Sequence, residues 1–341
     1  MRVYTDKGYP DIRSMRETKI PFIMLVGGRG TGKTYSALLD AYLYDVLENG
    51  RKFLYMRRTK EQLKMCCSEK YNPFRKINHD RGYNIRPKKE AGTISFYDGD
   101  TQIGGGIALT SVDDVKSMDA FDTDIIIYDE FIKSRSARRM KGEAENLFNL
   151  YETVNRNREL EGHPPVTLLM LANANDSATA VFVYLKLVSI AEKMQAKGEF
   201  PAIYRNDARR LMLIDFGPEN MISQMKKLTA LYQLTAGTDF AKMAVGNEYS
   251  YNDKSTQRSR PLKEYAPVVF VGEIAIYRHK SKDLYYCTTH AAGSAPTFGA
   301  GEVELKRFQK AFAWLWLSYM ADKIEFEEYF CESLLTEYFR M

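Results

Sequence analysis

Residues 27–34, "GGRGTGKT", fill every fixed position of the pattern G-x-x-x-x-G-K-[ST], and no other stretch limits the fold as tightly. A glycine turn of this kind works between a buried strand and a helix, because its backbone N–H groups and the unpaired first turn of the helix converge on one anion. Both flanks are present. "IPFIMLV" (20–26) is a continuous apolar run of strand length, as in a parallel sheet buried on both faces. "KTYSALLDAYLYDVLENG" then carries Leu38, Leu39, Tyr42 and Val46 at helical spacing and stops at Asn49-Gly50. The loop therefore predicts a nucleotide site. Gly27, Gly28, Arg29, Gly30, Thr31 and Gly32 would cradle the phosphates of ATP, Lys33 would reach the β- and γ-phosphates, and the Thr34 hydroxyl would ligate Mg²⁺. Arg29 has two open roles, a contact with phosphate or with a neighbouring acid.

Further strands and helices alternate behind this unit. "KFLYMRR" (52–58) reads as a second strand, and "GTISFYDGDTQIGGGIALTS" (92–111) as a hairpin turning at 98–100. "TDIIIYDEF" (123–131) is a buried strand ending in acids, Leu147, Leu150, Tyr151 and Val154 lie on one helical face, and "VTLLMLANAN" (166–175) is the last clear strand of this half. Such alternation predicts an α/β fold, a mostly parallel sheet with helices on both faces. The acid-ended strand, expected next to the loop-bearing one, supplies the other half of the site: Asp129 to hold the metal and Glu130 to orient or deprotonate a water. A water needs a base only where hydrolysis is the purpose, so the pair predicts an ATPase rather than a small-molecule kinase or a GTPase. Asn173, at the end of "LLMLAN", either bonds the γ-phosphate or its water, or marks a turn. Arg156 and Arg158 either occupy the negative pole of the preceding helix or aim at another subunit's γ-phosphate. Lys116, in "DDVKSMDAF", is a lone base among acids.

At 341 residues the chain favours two domains. The expected division is an ATPase domain over 1–200, a linker region over 201–246 with a helical look around "MISQMKKLTALYQL", and a smaller domain over 247–341. Polar "NEYSYNDKSTQRSRP" (247–261) opens the last part, and "APVVFVGEIAIYRHKSKDLYYCTTH" (266–290) suggests two or three strands with a turn at 280–283. Two closing helices are expected, one with Phe308, Phe312, Leu315 and Tyr319 on a face, the other with Phe326, Phe330, Leu334 and Tyr338. No apolar run reaches the roughly 18 residues of a membrane span, and the start lacks the apolar core of a signal peptide. The four cysteines have neither metal nor redox spacing, so a reducing cytoplasm and no membrane partner are expected. Net charge is +5, yet residues 51–90 hold thirteen Lys or Arg against four Asp or Glu, so the rest of the chain is net acidic. That segment reads either as a surface for a polyanion or as a solvated basic face.

With these residues in place the chain resembles the DNA encapsidation proteins of small tailed phages, the phi29-like genome-packaging ATPases. The resemblance runs nearly end to end through "GGRGTGKT", "FLYMRRTKEQL", "IIIYDEFIK", the helix into "VNRNRE", "LANA" and "FEEYFCESLLTEYFR". It implies a P-loop NTPase of the ASCE class followed by a smaller α+β, RNase H-like but degenerate domain. It also implies a homomeric ring, a pentamer in the best-known member, docked on the capsid portal in the host cytoplasm and driving double-stranded DNA inward, with a packaging RNA as a further candidate partner. Arg156 would then be the finger acting in trans, Lys116 would sit at the subunit interface or DNA channel, and Arg58 and Lys60 would line the pore. Between 268 and 289 only Glu273 and Asp283 are acidic, too few for a two-metal nuclease. Two alternatives stay open, a terminase that cuts as well as packages and a nucleotide-gated DNA-binding scaffold.

Overall fold

The structure, a computed structural model, describes all residues except 91, 116–121, 133–139, 141, 175–178, 219–220, 239–240, 242–243, 245–257 and 341. The chain divides into two compact units, Met1–Ser250 and Tyr251–Met341.

Nine strands of the first unit share one sheet: β1 (Phe22–Val26), β2 (Lys52–Arg57), β3 (Ile85–Lys89), β4 (Ile94–Asp98), β5 (Thr101–Ala108), β6 (Thr123–Asp129), β7 (Thr167–Ala172), β8 (Ala202–Asn206) and β9 (Leu211–Asp215). Their order is β3-β4-β5-β2-β6-β7-β1-β9-β8. The six strands from β5 to β9 run parallel, and β4, β3 and β8 extend the two edges antiparallel. Alternation along β1 explains the layers. Leu25 joins Ala37 and Leu38 in the core under the helix Lys33–Asp40, whereas Phe22 meets the Tyr151 ring of the helix Glu143–Asn155 with centroids 5.0 Å apart. Helices thus cover both faces, and Leu147, Leu150, Tyr151 and Val154 are all buried as their spacing predicts. The helix Lys33–Asp40 continues as a π-helix over Ala41–Glu48 and ends at Asn49. In β5, Gly104 lets β2 lie close: a Cβ there would stand 2.7 Å from the Phe53 carbonyl oxygen.

Two expectations need correction. The loop-bearing β1 and the acid-ended β6 are not neighbours, because β7 lies between them. The segment from 201 is not a linker at its start: β8 and β9 complete the sheet, with β9 paired to β1 from Phe22↔Leu211 to Val26↔Asp215. The apolar run of β9 is only "LMLI", closed by Asp215, and "AIYRN" has the half-exposed alternation of an edge, so neither carries the longer apolar signal of "IPFIMLV" or "VTLLMLA".

The second unit holds β10 (Tyr265–Val271), β11 (Ile274–His279), β12 (Tyr285–Thr288), β13 (Thr297–Phe298) and β14 (Ile324–Phe326) in the order β13-β10-β11-β12-β14. An antiparallel meander, flanked on each side by a parallel strand, packs with helices into the smaller α+β unit expected. The closing helices differ from the periodic reading. The first breaks at Phe312 into Glu302–Ala311 and Ala313–Met320, and Phe326 belongs to β14, ahead of the helix Tyr329–Arg340. Most of 247–261 lies outside the described residues.

Candidate active site

Three adjacent parallel strands end at one level. Val26 of β1 pairs with Ala172 of β7, and Leu171 of β7 pairs with Asp129 of β6. The chain leaves these ends as the glycine loop, as Asn173 and as Glu130. Gly32 opens the helix at φ 87°, a conformation that favours glycine, and a Cβ there would stand 2.3 Å from the Tyr9 ring.

Lys33 is buried in this corner. Its Nζ donates to the Gly27 and Gly28 carbonyls, both at 2.8 Å, and to Thr31 Oγ1 and Asn173 Oδ1, both at 3.3 Å. Burial pushes the ammonium down to about 7, with the pull of Asp129 opposing and the nearby Lys226 adding to the fall. Thr34 Oγ1 donates to Asp129 Oδ1 at 3.0 Å, so the residues assigned to the metal touch across the sheet. A hydroxyl and a carboxylate side by side are the hard oxygen donors that Mg²⁺ prefers, and they fit it.

Behind Asp129 stand two groups that motif reading does not name. Tyr55 donates to Asp129 Oδ2 at 2.8 Å, and burial together with Asp129 holds its hydroxyl protonated, well above the ordinary phenol range. Arg57 bridges the acids, with Nη1 3.0 Å from Asp129 Oδ2 and Nη2 2.5 Å from Glu130 Oε2. Burial works against the guanidinium charge, but Tyr55, Asp129 and Glu130 hold its pKa above the usual value. Strand alternation was the available signal: Phe53, Tyr55 and Arg57 share one side of β2, the side that reaches Asp129. Glu130 is half exposed at 51% and sits at φ 59°, a left-handed backbone that costs a non-glycine residue about 1–2 kcal/mol.

The surrounding cleft has a volume of about 660 Å³. Residues 29–34, Asp129, Glu130 and Asn173 line it, with Tyr9, Tyr35 and Lys76 on its wall. Arg29 is exposed on the loop, and its backbone is fastened from outside: its N–H donates to the Ala244 carbonyl at 3.0 Å, and Lys226 Nζ donates to its carbonyl. Arg156 does not line the cleft. It ends its helix at φ 42°, exposed, with Nε donating to the Thr153 carbonyl at 3.2 Å. Arg158 is instead buried and fixed to the start of β6 through the Thr123 carbonyl and Asp124, both at 2.7 Å.

Of the three residues expected to face DNA, Arg58 requires correction. It is buried, and Nε and Nη2 grip the two oxygens of Glu143 at 2.6 Å each, so it braces the start of the helix Glu143–Asn155 against β2. Lys60 is half-buried at the first position of the helix Lys60–Met65. Lys116 lies outside the described residues. Among the described residues, no group of three or more His, Cys, Asp or Glu is placed to share a metal ion.

A loop-bearing strand separated by one strand from an acid-ended strand, with a polar residue ending the strand between, defines an ASCE P-loop NTPase fold. Residues 10–290 match the Podovirus DNA encapsidation protein (Gp16) family, and the chain belongs to that family. A DNA packaging protein of Bacillus phage B103 is 28% identical over 270 residues, covering 78% of this chain and 76% of that one. Among solved structures, the Phi-28 gp11 DNA packaging motor superposes with a TM-score of 0.67 at 21% identity, covering 98% of both chains. The bacteriophage Phi-29 genome packaging motor assembly follows at 0.65 and 20%, covering 97% of this chain and 98% of that one.

Proposed function

We propose that this protein is the ATPase of a phage genome-packaging motor, hydrolysing ATP in the cleft and coupling it to movement of double-stranded DNA through the portal into a preformed capsid. The observation that carries the reading is the 3.0 Å contact of Thr34 with Asp129, beside the buried Lys33 and directly ahead of Glu130. Thr34 and Asp129 would hold Mg²⁺, which when bound neutralises charge on the β- and γ-phosphates. Lys33 and the loop amides bind and orient the triphosphate. Glu130 takes the proton of the attacking water at a carboxylate oxygen, and Arg57 holds that side chain until it is needed. Asn173, already on Lys33, senses the terminal phosphate.

Arg156 is assigned as the finger of a neighbouring subunit in a homomeric ring, supported by its exposure, its strained backbone and its place outside its own cleft. The decisive test is ATP turnover with and without DNA-free capsids. Turnover should rise with capsids and vanish in Glu130→Gln, while mixing Arg156→Ala with Glu130→Gln subunits should restore part of it. Turnover that stays undetectable with capsids would leave a DNA-binding scaffold, and metal-dependent cleavage of plasmid would make the protein a cutting terminase.

A further inference from the structure

Segment 51–90 is strongly basic, but its cations have different occupations. Arg57 and Arg58 are engaged by Asp129, Glu130 and Glu143. Arg75, Arg86, Lys88 and Lys89 are exposed, and no carboxylate among the described residues pairs with them. The last three belong to β3, the outermost strand, which bonds to β4 alone. Register explains how they are presented. Arg86 lies opposite Tyr97 and Lys88 opposite Ser95, so these two residues share one face with Cα atoms about 7 Å apart, a spacing comparable with that of successive phosphates along a nucleic acid strand, while Lys89, opposite Ile94, leaves the edge on the other face. Lys88 Nζ stands 4.4 Å over the Tyr97 ring, and Tyr97 pairs in turn with Gln102 of β5, whose amide reaches Ser95 Oγ at 3.0 Å. The opposite face carries Ile85, Ile94 and Phe96 into the core.

The edge is also held rigidly. Amides of Asn72 and Asn78 both donate to the Ile85 carbonyl, at 2.9 and 3.0 Å, and Asn78 accepts from the Ile85 N–H at 3.1 Å. This ties β3 to the helix Arg75–Arg81 and leaves a groove of about 620 Å³ with Arg75 and Arg86 among its lining residues. Lys76 of the same helix lines the nucleotide cleft.

We propose that this basic edge, with Arg86 and Lys88 on one face, Lys89 on the other and Arg75 at the groove, holds the sugar–phosphate backbone of duplex DNA. Cations strung along a strand edge beside an aromatic ring suit backbone contact rather than base reading. The assignment rests on the packaging reading and replaces the buried Arg58 as the DNA contact. Charges on an edge strand also discourage pairing with another chain, a role that would leave DNA affinity untouched.

The test uses the full chain carrying Arg86→Gln, Lys88→Gln and Lys89→Gln together, titrated against fluorescein-labelled duplex DNA of mixed sequence at several salt concentrations. Loss of up to three phosphate contacts should lower the slope of log affinity against log salt by about 2–3 and weaken binding at least tenfold near 100 mM salt. Melting temperature and basal ATP turnover should stay at parental values. Parental affinity and slope in the variant would overturn the assignment, as would weakened binding of duplex RNA with DNA binding unchanged. Failure of the parent protein to bind duplex DNA even at the lowest salt would overturn the packaging reading along with it.

Discussion

Replacing Arg58 by methionine separates a structural brace from a cargo contact. The Arg58 and Glu143 side chains are 5% and 6% exposed and joined at 2.6 Å, so methionine keeps much of the packing but strands a buried carboxylate. Breaking one side of a buried pair costs about 3–5 kcal/mol. Part of that returns, because Glu143 begins a helix, whose N-terminus favours an anion by about 1 kcal/mol, and because the Tyr128 hydroxyl donates to it at 3.3 Å. A net loss of about 2–4 kcal/mol is therefore expected, read as a lower urea midpoint by circular dichroism at unchanged slope. Adding Glu143→Leu removes the stranded charge and should bring stability back to within about 1 kcal/mol of the parent, since well-packed apolar replacements of buried pairs are often neutral. The DNA salt slope should not move in either variant. A methionine variant that keeps its midpoint while the salt slope falls by about 1 would refute the brace and return Arg58 to the pore.

Other outcomes follow from the cleft. Because Lys33 titrates near 7 when free, it is mostly neutral at pH 8 and should regain its charge against a triphosphate, so ATP binding should take up close to one proton at pH 8 and almost none at pH 6. Calorimetry in buffers of different ionisation enthalpy measures this, and equal uptake at both pH values, or in Lys33→Met, would exclude it. Tyr55→Phe removes a donor to Asp129 and should raise the Mg²⁺ concentration for half-maximal turnover about 10-fold or more. Gly32→Ala meets both a φ of 87° and the Tyr9 ring, so ATP binding by filter assay should be lost, and removing the ring with Tyr9→Ala should not restore it fully.

How much of this was legible depended on whether a residue's partners were local. Lys33, Thr34, Asp129 and Asn173 stand at strand ends marked by long apolar runs, and those runs fix the level at which they meet. Tyr55 and Arg57 were readable only through alternation along β2, and the adjacent Arg58 offered the same charge one residue later on the other side of the strand. That single step decides which arginine reaches Asp129 and which reaches Glu143. Strands β8 and β9 were missed because the four apolar residues of "LMLI" and the alternation of "AIYRN" acquire meaning only when paired, and the partner of β9 lies near the start of the chain. Phe326 kept helical spacing with Phe330, but the strand beside β12 claimed it.

Because β6, β7 and β1 are laced by main-chain bonds from Thr167↔Ile125 to Val26↔Ala172, the platform beneath the proposed triphosphate site behaves as an anvil. Adjacent strands cannot slide past one another without breaking that ladder. On the packaging reading, work extracted at the cleft would leave through what hangs from the rim: the loop pinned by Lys226, the bend at Glu130 and the exit at Asn173. Stiffening those three departures with crosslinks should then stall DNA movement while leaving ATP binding intact.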